Sequence, residues 1–233
     1  MYLSCPSCSS TNIKKNGYTH YGKQNHRCRD CGLQFVLNNQ HTKSQALKSL
    51  IKNALKERLS LRAICRIFSV SMNWLRSFAE HLWAETPDDI GIESIEIEKV
   101  KTLQVFGIQA DELWSFVGKK EQKRWIWLAY DPVRRLVLAH YIGGRGIEAA
   151  KKFWKKIPQA LKSCQFETDD WDAYKHIIAK EQHTIGKDLT YYIEGFYATI
   201  RARVSRLVRK TLSFSKKDKW HKLAIAWFFW QFN

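Results

Sequence analysis

Two sets of residues in this sequence could do chemistry. Cys5-x2-Cys8 and Cys28-x2-Cys31 form two C-x2-C pairs with 19 residues between them. Each pair can present two thiolates to one ion, and two pairs complete a tetrahedral site, for which zinc is the natural metal. Gly32, directly after the last cysteine, suits the tight turn that follows a ligand. The second set is acidic. In a chain of formal net charge +17, "FETDDWDAY" (166–174) gathers Glu167, Asp169, Asp170 and Asp172 within six residues. Such a cluster can solvate a loop, or it can hold a hard cation against a phosphate. Asp111 and Glu112 lie inside the strand-like run "FGIQADELWSFVG", where charge is costly unless paired or metal-bound. Glu194 lies on a segment whose apolar residues Ile193, Tyr197, Ile200, Val204, Leu207 and Val208 keep helical spacing. Taken singly, each acid has an ordinary structural explanation: a strand-edge charge, a helix N-terminal acid or a helix-dipole partner.

The elements that must position these residues separate by composition. Residues 1–40 are polar and hold four of the six cysteines. A segment with so few apolar side chains needs a structural zinc to fold, which predicts a zinc ribbon. Between its cysteines, Lys14, Lys15 and Arg27, with Tyr18 and Tyr21, could touch phosphate or form a solvated basic hairpin. Residues 41–84 read as helices. "LSLRAICRIFSVSMNWLRSFAEHLW" gives one short amphipathic helix, a turn at Ser69 to Ser71, and a second helix capped by Ser71. That spacing is either a helix-turn-helix, with Asn73 and Arg76 facing bases, or two helices packed without DNA. Residues 85–102 form an acidic linker. From 103 to 233, strand-like runs ("RWIWLAYD", "RLVLAHYIGG") precede helical patterns near 147–161 and 171–180 with "CQF" between them. A last helical segment is predicted over about 190–210. The fold class is α+β, with a mixed sheet and flanking helices.

Composition narrows the partner. Lys and Arg number 39 against 22 acids, and the pI near 9.7 favours a polyanion, whose neutralised phosphates release counterions. No apolar run approaches the roughly 18 residues that span a bilayer, and the aromatic "LAIAWFFWQFN" is too short. "MYLSCPSC" has neither a basic start nor an apolar signal segment, so a cytoplasmic, nucleoid-associated protein with reduced thiols is expected.

From about Asp111 onward the chain resembles insertion-sequence-1 (IS-one) family transposases, of the DDE class. The matching pieces are "DELWSFVG", "RWIWLAYD", "TDDW", "IEGF" and above all "RVSRLVRKTLSFSKK". The cysteine pairs and the helix pair also resemble that family's N-terminal half. The resemblance implies a ribonuclease-H-like catalytic domain over 103–233, whose three acids hold two Mg²⁺ ions. They fall on Asp111, Asp169 and Glu194, with Asp170 a neighbour. It implies an enzyme, a DNA transposase that binds its element's terminal inverted repeats and performs Mg²⁺-dependent strand cleavage and transfer on double-stranded DNA as a homo-oligomer. The basic residues after Glu194 (Arg201, Arg206, Arg209, Lys210 and Lys216) would clamp that DNA, with Arg206 and Lys210 sharing a helix face. One departure stands out. The family often carries Arg-x-Asn after the third acid, where this chain has Gly195 and Tyr197, and Gly195 weakens the helix there. The alternative reading is a decayed or domesticated repressor that works through its zinc and helix-turn-helix parts alone.

Overall fold

A computed structural model describes residues 3–37, 43–92, 107–207 and 213–233. The chain divides into two compact units, Met1–Ser49 and Leu50–Asn233. The first contains three short antiparallel strands in the order β1-β2-β3, where β1 is Ile13–Tyr18, β2 Gln24–Cys28 and β3 Gln34–Val36. Its buried residues are few, Cys5, His26 and Cys28 among the described ones. A sheet with so little apolar surface to bury needs another source of stability.

The second unit is built on five strands: β4 (Ile108–Val117), β5 (Lys119–Asp131), β6 (Leu136–Gly143), β7 (Phe166–Thr168) and β8 (His183–Ile185), ordered β6-β5-β4-β7-β8. The first three pair antiparallel, while β4–β7 and β7–β8 are parallel. The mixed sheet and the α+β class are as the sequence predicts. The sheet is covered on both faces, so its central strands carry continuous apolar runs instead of alternation. In β5 the polar start KKEQK is exposed and Ile126 to Asp131 is buried. Gln109 and Glu112, three residues apart on β4, show the two faces: Gln109 bonds to the start of a helix over Tyr191–Arg203, whereas Glu112 pairs with Arg145 on the other side. We number the helices α1 (Gln45–Leu55), α2 (Leu61–Phe68), α3 (Met72–Ala84), α4 (Ile147–Lys156), α5 (Asp172–Lys175), α6 (Tyr191–Arg203) and α7 (Asp218–Phe232). Trp127 of β5 packs against Phe153 of α4 and Tyr174 of α5, and Tyr130 stacks on Phe196 of α6.

The α2–α3 pair follows its sequence signals. Ser60 caps α2 through its hydroxyl at 3.1 Å from the Ala63 N–H, and Ser71 caps α3 at 3.2 Å from the Trp74 N–H. Between them Ser69 takes a left-handed conformation, φ 50°, which ends α2 sharply. Helix α3 then packs on α7: Ala79, Leu82 and Trp83 meet Ala224 and Trp227. The aromatic C-terminal stretch is thus a helix with two buried faces. Its Ile225, Phe228 and Phe229 belong to the main core beside the sheet. Among the described residues no helix is long and apolar enough to cross a membrane.

One expectation changes. The helix predicted over 190–210 ends at Arg203: Val204 turns extended (φ −82°, ψ 100°), and Ser205–Leu207 form a 3-10 turn. Val204 and Leu207 are buried, so apolar spacing persists past the point where the backbone leaves the helix. Arg209 and Lys210, with the start of the strand-like run at 103–106 and linker residues 93–102, lie outside the described residues.

Candidate active site

The four cysteines come together in the first unit. Their sulfurs all lie within 4.8 Å of one another, with Cys5–Cys31 at 3.5 Å and Cys8–Cys28 at 3.6 Å. These spacings exceed a disulfide bond of about 2.05 Å. They approach the edge of a tetrahedron built on metal–sulfur bonds of about 2.3 Å. Backbone N–H groups hold the site open for anionic sulfur: those of Cys31, then Asp30, help bring the Cys28 thiol down to about 7. Gly32 closes the second turn at φ +74°, donating to the Cys28 carbonyl at 3.1 Å. The neighbouring thiols push Cys8 up to about 12 in the same cluster, and four thiols that gather around one point can bind a metal.

On β2 and its neighbour, Arg27 lies directly opposite Lys14, both exposed, and neither has an ion pair among the described residues. Lys15 is also exposed, one position on. Like charges facing each other across a strand pair repel unless an anion sits over them.

The acids of the second unit are brought together by sheet register. Ala110 of β4 pairs with Thr168 of β7 in parallel, so Asp111 and Asp169 each stand one step beyond a matched couple on adjacent strands. Glu194 arrives from across the sheet face. Gln109, two residues before Asp111, accepts the Ile193 N–H at 2.9 Å and donates to the Leu189 carbonyl and, at 3.3 Å, to Glu167. This ties the first turn of α6 to β4. Thr190 then donates to the Glu194 carboxylate at 3.2 Å. The three carboxylates feel one another. Burial, and then the charges of Asp169 and Glu194, push Asp111 up to about 6. Their oxygens do not all close to the 4.8 Å that gathers the thiols. Hard oxygen donors held this way could take a divalent cation.

The rest of "FETDDWDAY" is spent locally. Asp170 pairs with Lys175 at 2.7 Å and Asp172 with His176 at 3.2 Å. Among the described residues the Asp169 carboxylate accepts only the Trp171 N–H, at 3.0 Å, through one of its two oxygens. A cleft lined by Asp169, Asp170, Trp171, Ile185, Gly186 and Lys187 opens beside it.

Asn73 and Arg76 are exposed on α3, and Lys216 is exposed before α7. Arg201 is half-buried on α6. Arg206 turns inward. Its guanidinium lies 5.1 Å from the Trp83 ring and donates to Ser215 at 3.2 Å, and burial lowers its pKa to about 10. Ser215 continues through His221 to Ser115 of β4, at 3.2 and 3.3 Å. With α6 ended at Arg203, Arg206 does not sit on a helix face.

Residues 105–231 match the family model of the IS1 transposase. The chain belongs to the IS1 transposase family. It is 35% identical over 120 residues to the insertion element iso-IS1n protein InsB of Shigella dysenteriae, covering 52% of this chain and 91% of that one. It is similarly 35% identical over 118 residues to the insertion element IS1 protein InsB of Shigella flexneri (51% and 89%). To the insertion element IS1 4 protein InsB of Escherichia coli K12 it is 33% identical over 118 residues (51% and 70%).

Within this IS1 transposase relative, Tyr174 and Gln109 beside the acids were not singled out by sequence reasoning, and Tyr197, which the sequence marks as a departure from the family, sits against them. Tyr197 is buried, and its hydroxyl approaches Asp111 without reaching hydrogen-bond geometry; helix α6 runs unbroken through Gly195. Tyr174 stands in the same relation to Glu112 on the opposite face. Gln109 carried one available signal, an amide within an apolar strand. Replacing it by Leu keeps the volume but strands the Ile193 N–H and Leu189 carbonyl in a buried place. We expect Gln109→Leu to cost about 1–3 kcal/mol, read as a lower urea midpoint at unchanged slope.

Proposed function

We propose that this protein is the transposase of its element, binding the element's terminal repeats and cutting and joining DNA with Mg²⁺. The observation that carries the reading is the parallel register that sets Asp111 beside Asp169, with Glu194 delivered to them by Gln109. The strand order β6-β5-β4-β7-β8, three antiparallel strands followed by two parallel ones, supports a ribonuclease-H-like domain. Asp111, Asp169 and Glu194 would hold two Mg²⁺ ions. When bound, those ions supply a Lewis acid at the phosphate and lower the pKa of the attacking water or 3′-hydroxyl. The protein's own part is positional: Thr190 orients Glu194, the Trp171 N–H orients Asp169, and Tyr197 crowds Asp111. Zinc suits the four-thiolate site and would fold the first unit. Exposed Lys14, Lys15 and Arg27 there, and Asn73 and Arg76 on a helix-turn-helix, would engage the repeats, with Arg201, Arg209, Lys210 and Lys216 on the backbone. Arg206 serves instead as a strut on Trp83.

The test is strand transfer by the purified full chain on DNA ending in the element's repeats. We expect joined product with Mg²⁺, none in EDTA, and little on DNA with unrelated ends. Equal cleavage of unrelated DNA would overturn the assignment in favour of an unspecific nuclease. Repeat binding with no cleavage at any divalent ion would leave the repressor reading.

A further inference from the structure

Arg145 lies in the loop before α4, outside every role given above. Its Nε donates to Glu112 at 3.2 Å, and the Glu112 side chain is wholly buried. Its guanidinium lies 4.4 Å from the ring of Trp125 on β5 and 4.0 Å from the ring of Trp171. Its carbonyl accepts the Trp171 indole N–H at 3.3 Å, while the Trp171 main-chain N–H caps Asp169 at 3.0 Å. The preceding carbonyl, Gly144, accepts the Trp127 indole N–H at 2.8 Å.

These contacts form one path. Glu112 is covalently next to Asp111, and Trp171 directly holds Asp169. A cation sandwiched between two indoles and paired with a buried carboxylate has a single resting place. Left without it, Glu112 would be a buried charge with no partner and Trp171 would lose both its stack and its acceptor.

We infer that Arg145 is a positioning residue which, through Glu112 and Trp171, sets the distance and angle between Asp111 and Asp169 at the cation site. The inference rests on the reading of those two acids as metal ligands. It assigns to the sheet face opposite Tyr197 a share in that site. Outer partners of metal ligands commonly change affinity by about 10- to 100-fold when lost.

The test measures Mn²⁺ bound to the full chain without DNA, from loss of the free-ion electron paramagnetic resonance signal, alongside thermal unfolding. Four variants are compared: Arg145→Lys, Arg145→Met combined with Glu112→Gln, Trp171→Phe and Asp169→Asn. The double variant removes both charges together, so no buried carboxylate is stranded. Trp171→Phe keeps a ring on the guanidinium but deletes the bond to the Arg145 carbonyl. We expect about tenfold weaker Mn²⁺ binding in the double variant, an intermediate loss in Trp171→Phe, and partial rescue in Arg145→Lys, which keeps charge but not the planar stack. All should melt cooperatively near the parent. Folded variants that bind Mn²⁺ like the parent would overturn the inference while leaving the acid site intact. If the parent's Mn²⁺ binding is not weakened by Asp169→Asn, the ligand reading itself fails. Variants that all fail to fold would mark the cluster as structural only and equally overturn it.

Discussion

Asp111→Asn abolishes strand transfer while making the metal-free protein more stable: this is the expected result, and the two effects have one cause. Burial and the neighbouring charges of Asp169 and Glu194 raise Asp111 to about 6 from the ordinary aspartate value of 3.8. A carboxyl group whose folded value lies above its unfolded value destabilises the fold when ionised. That cost is full above pH 6 and gone below about 4. At roughly 1.4 kcal/mol per pH unit, its upper bound is about 3 kcal/mol. The amide removes the charge at nearly constant shape, so the urea midpoint at pH 7.5 in EDTA should rise by the equivalent of about 1–3 kcal/mol. Strand transfer should fall about a thousandfold, the scale of losing several kcal/mol of metal-assisted stabilisation. Mg²⁺ should raise the midpoint of the parent and not of the variant. Retained strand transfer would remove Asp111 from the chemistry. Lost activity with lost stability would make it a structural residue.

Stripping the metal from the four thiols should have the larger structural effect. Among its described residues the first unit buries only Cys5, His26 and Cys28, so its strands have almost no apolar core of their own. Binding of a structural zinc supplies about 10–16 kcal/mol in small thiolate domains, most of it as folding free energy. We expect one zinc per chain as purified, released when a mercurial titrates the thiols. In chelator, or in Cys8→Ser, amide hydrogens of residues 13–36 should exchange as in an unfolded chain. The second unit, with its own core, should keep its thermal transition. Slow exchange in β1 and β2 under excess chelator would show that the ribbon folds without metal.

What was legible in the sequence and what was not divide by the reach of the interactions. The cysteine spacing, the Ser71 cap and the apolar run Trp125–Tyr130 are local patterns, and each has its counterpart in the fold. Asp169 could be separated from its acidic neighbours only by resemblance. In the fold, the separation comes from Lys175 and His176, which occupy Asp170 and Asp172. Gln109, Glu112, Arg145 and Trp171 owe their importance to partners far along the chain, and no periodicity reports such pairings. Arg206 was misleading for a related reason. A basic residue in a basic tract reads as solvent-facing until Trp83, far upstream, is found beneath it. The end of α6 at Arg203 was hidden because Val204 and Leu207 stay buried after the backbone turns away.

The two-faced burial of α7 has a consequence for how the protein matures. Its 15 residues are synthesised after every other element described, yet they cover Leu82 and Trp83 of α3 on one side and complete the sheet's core on the other. During translation, α3 and the strands therefore wait with bare apolar surfaces until this segment emerges from the ribosome. The surface that would meet DNA and the carboxylates that would cut it then become competent in the same step, so a nascent chain stopped before residue 218 would have neither.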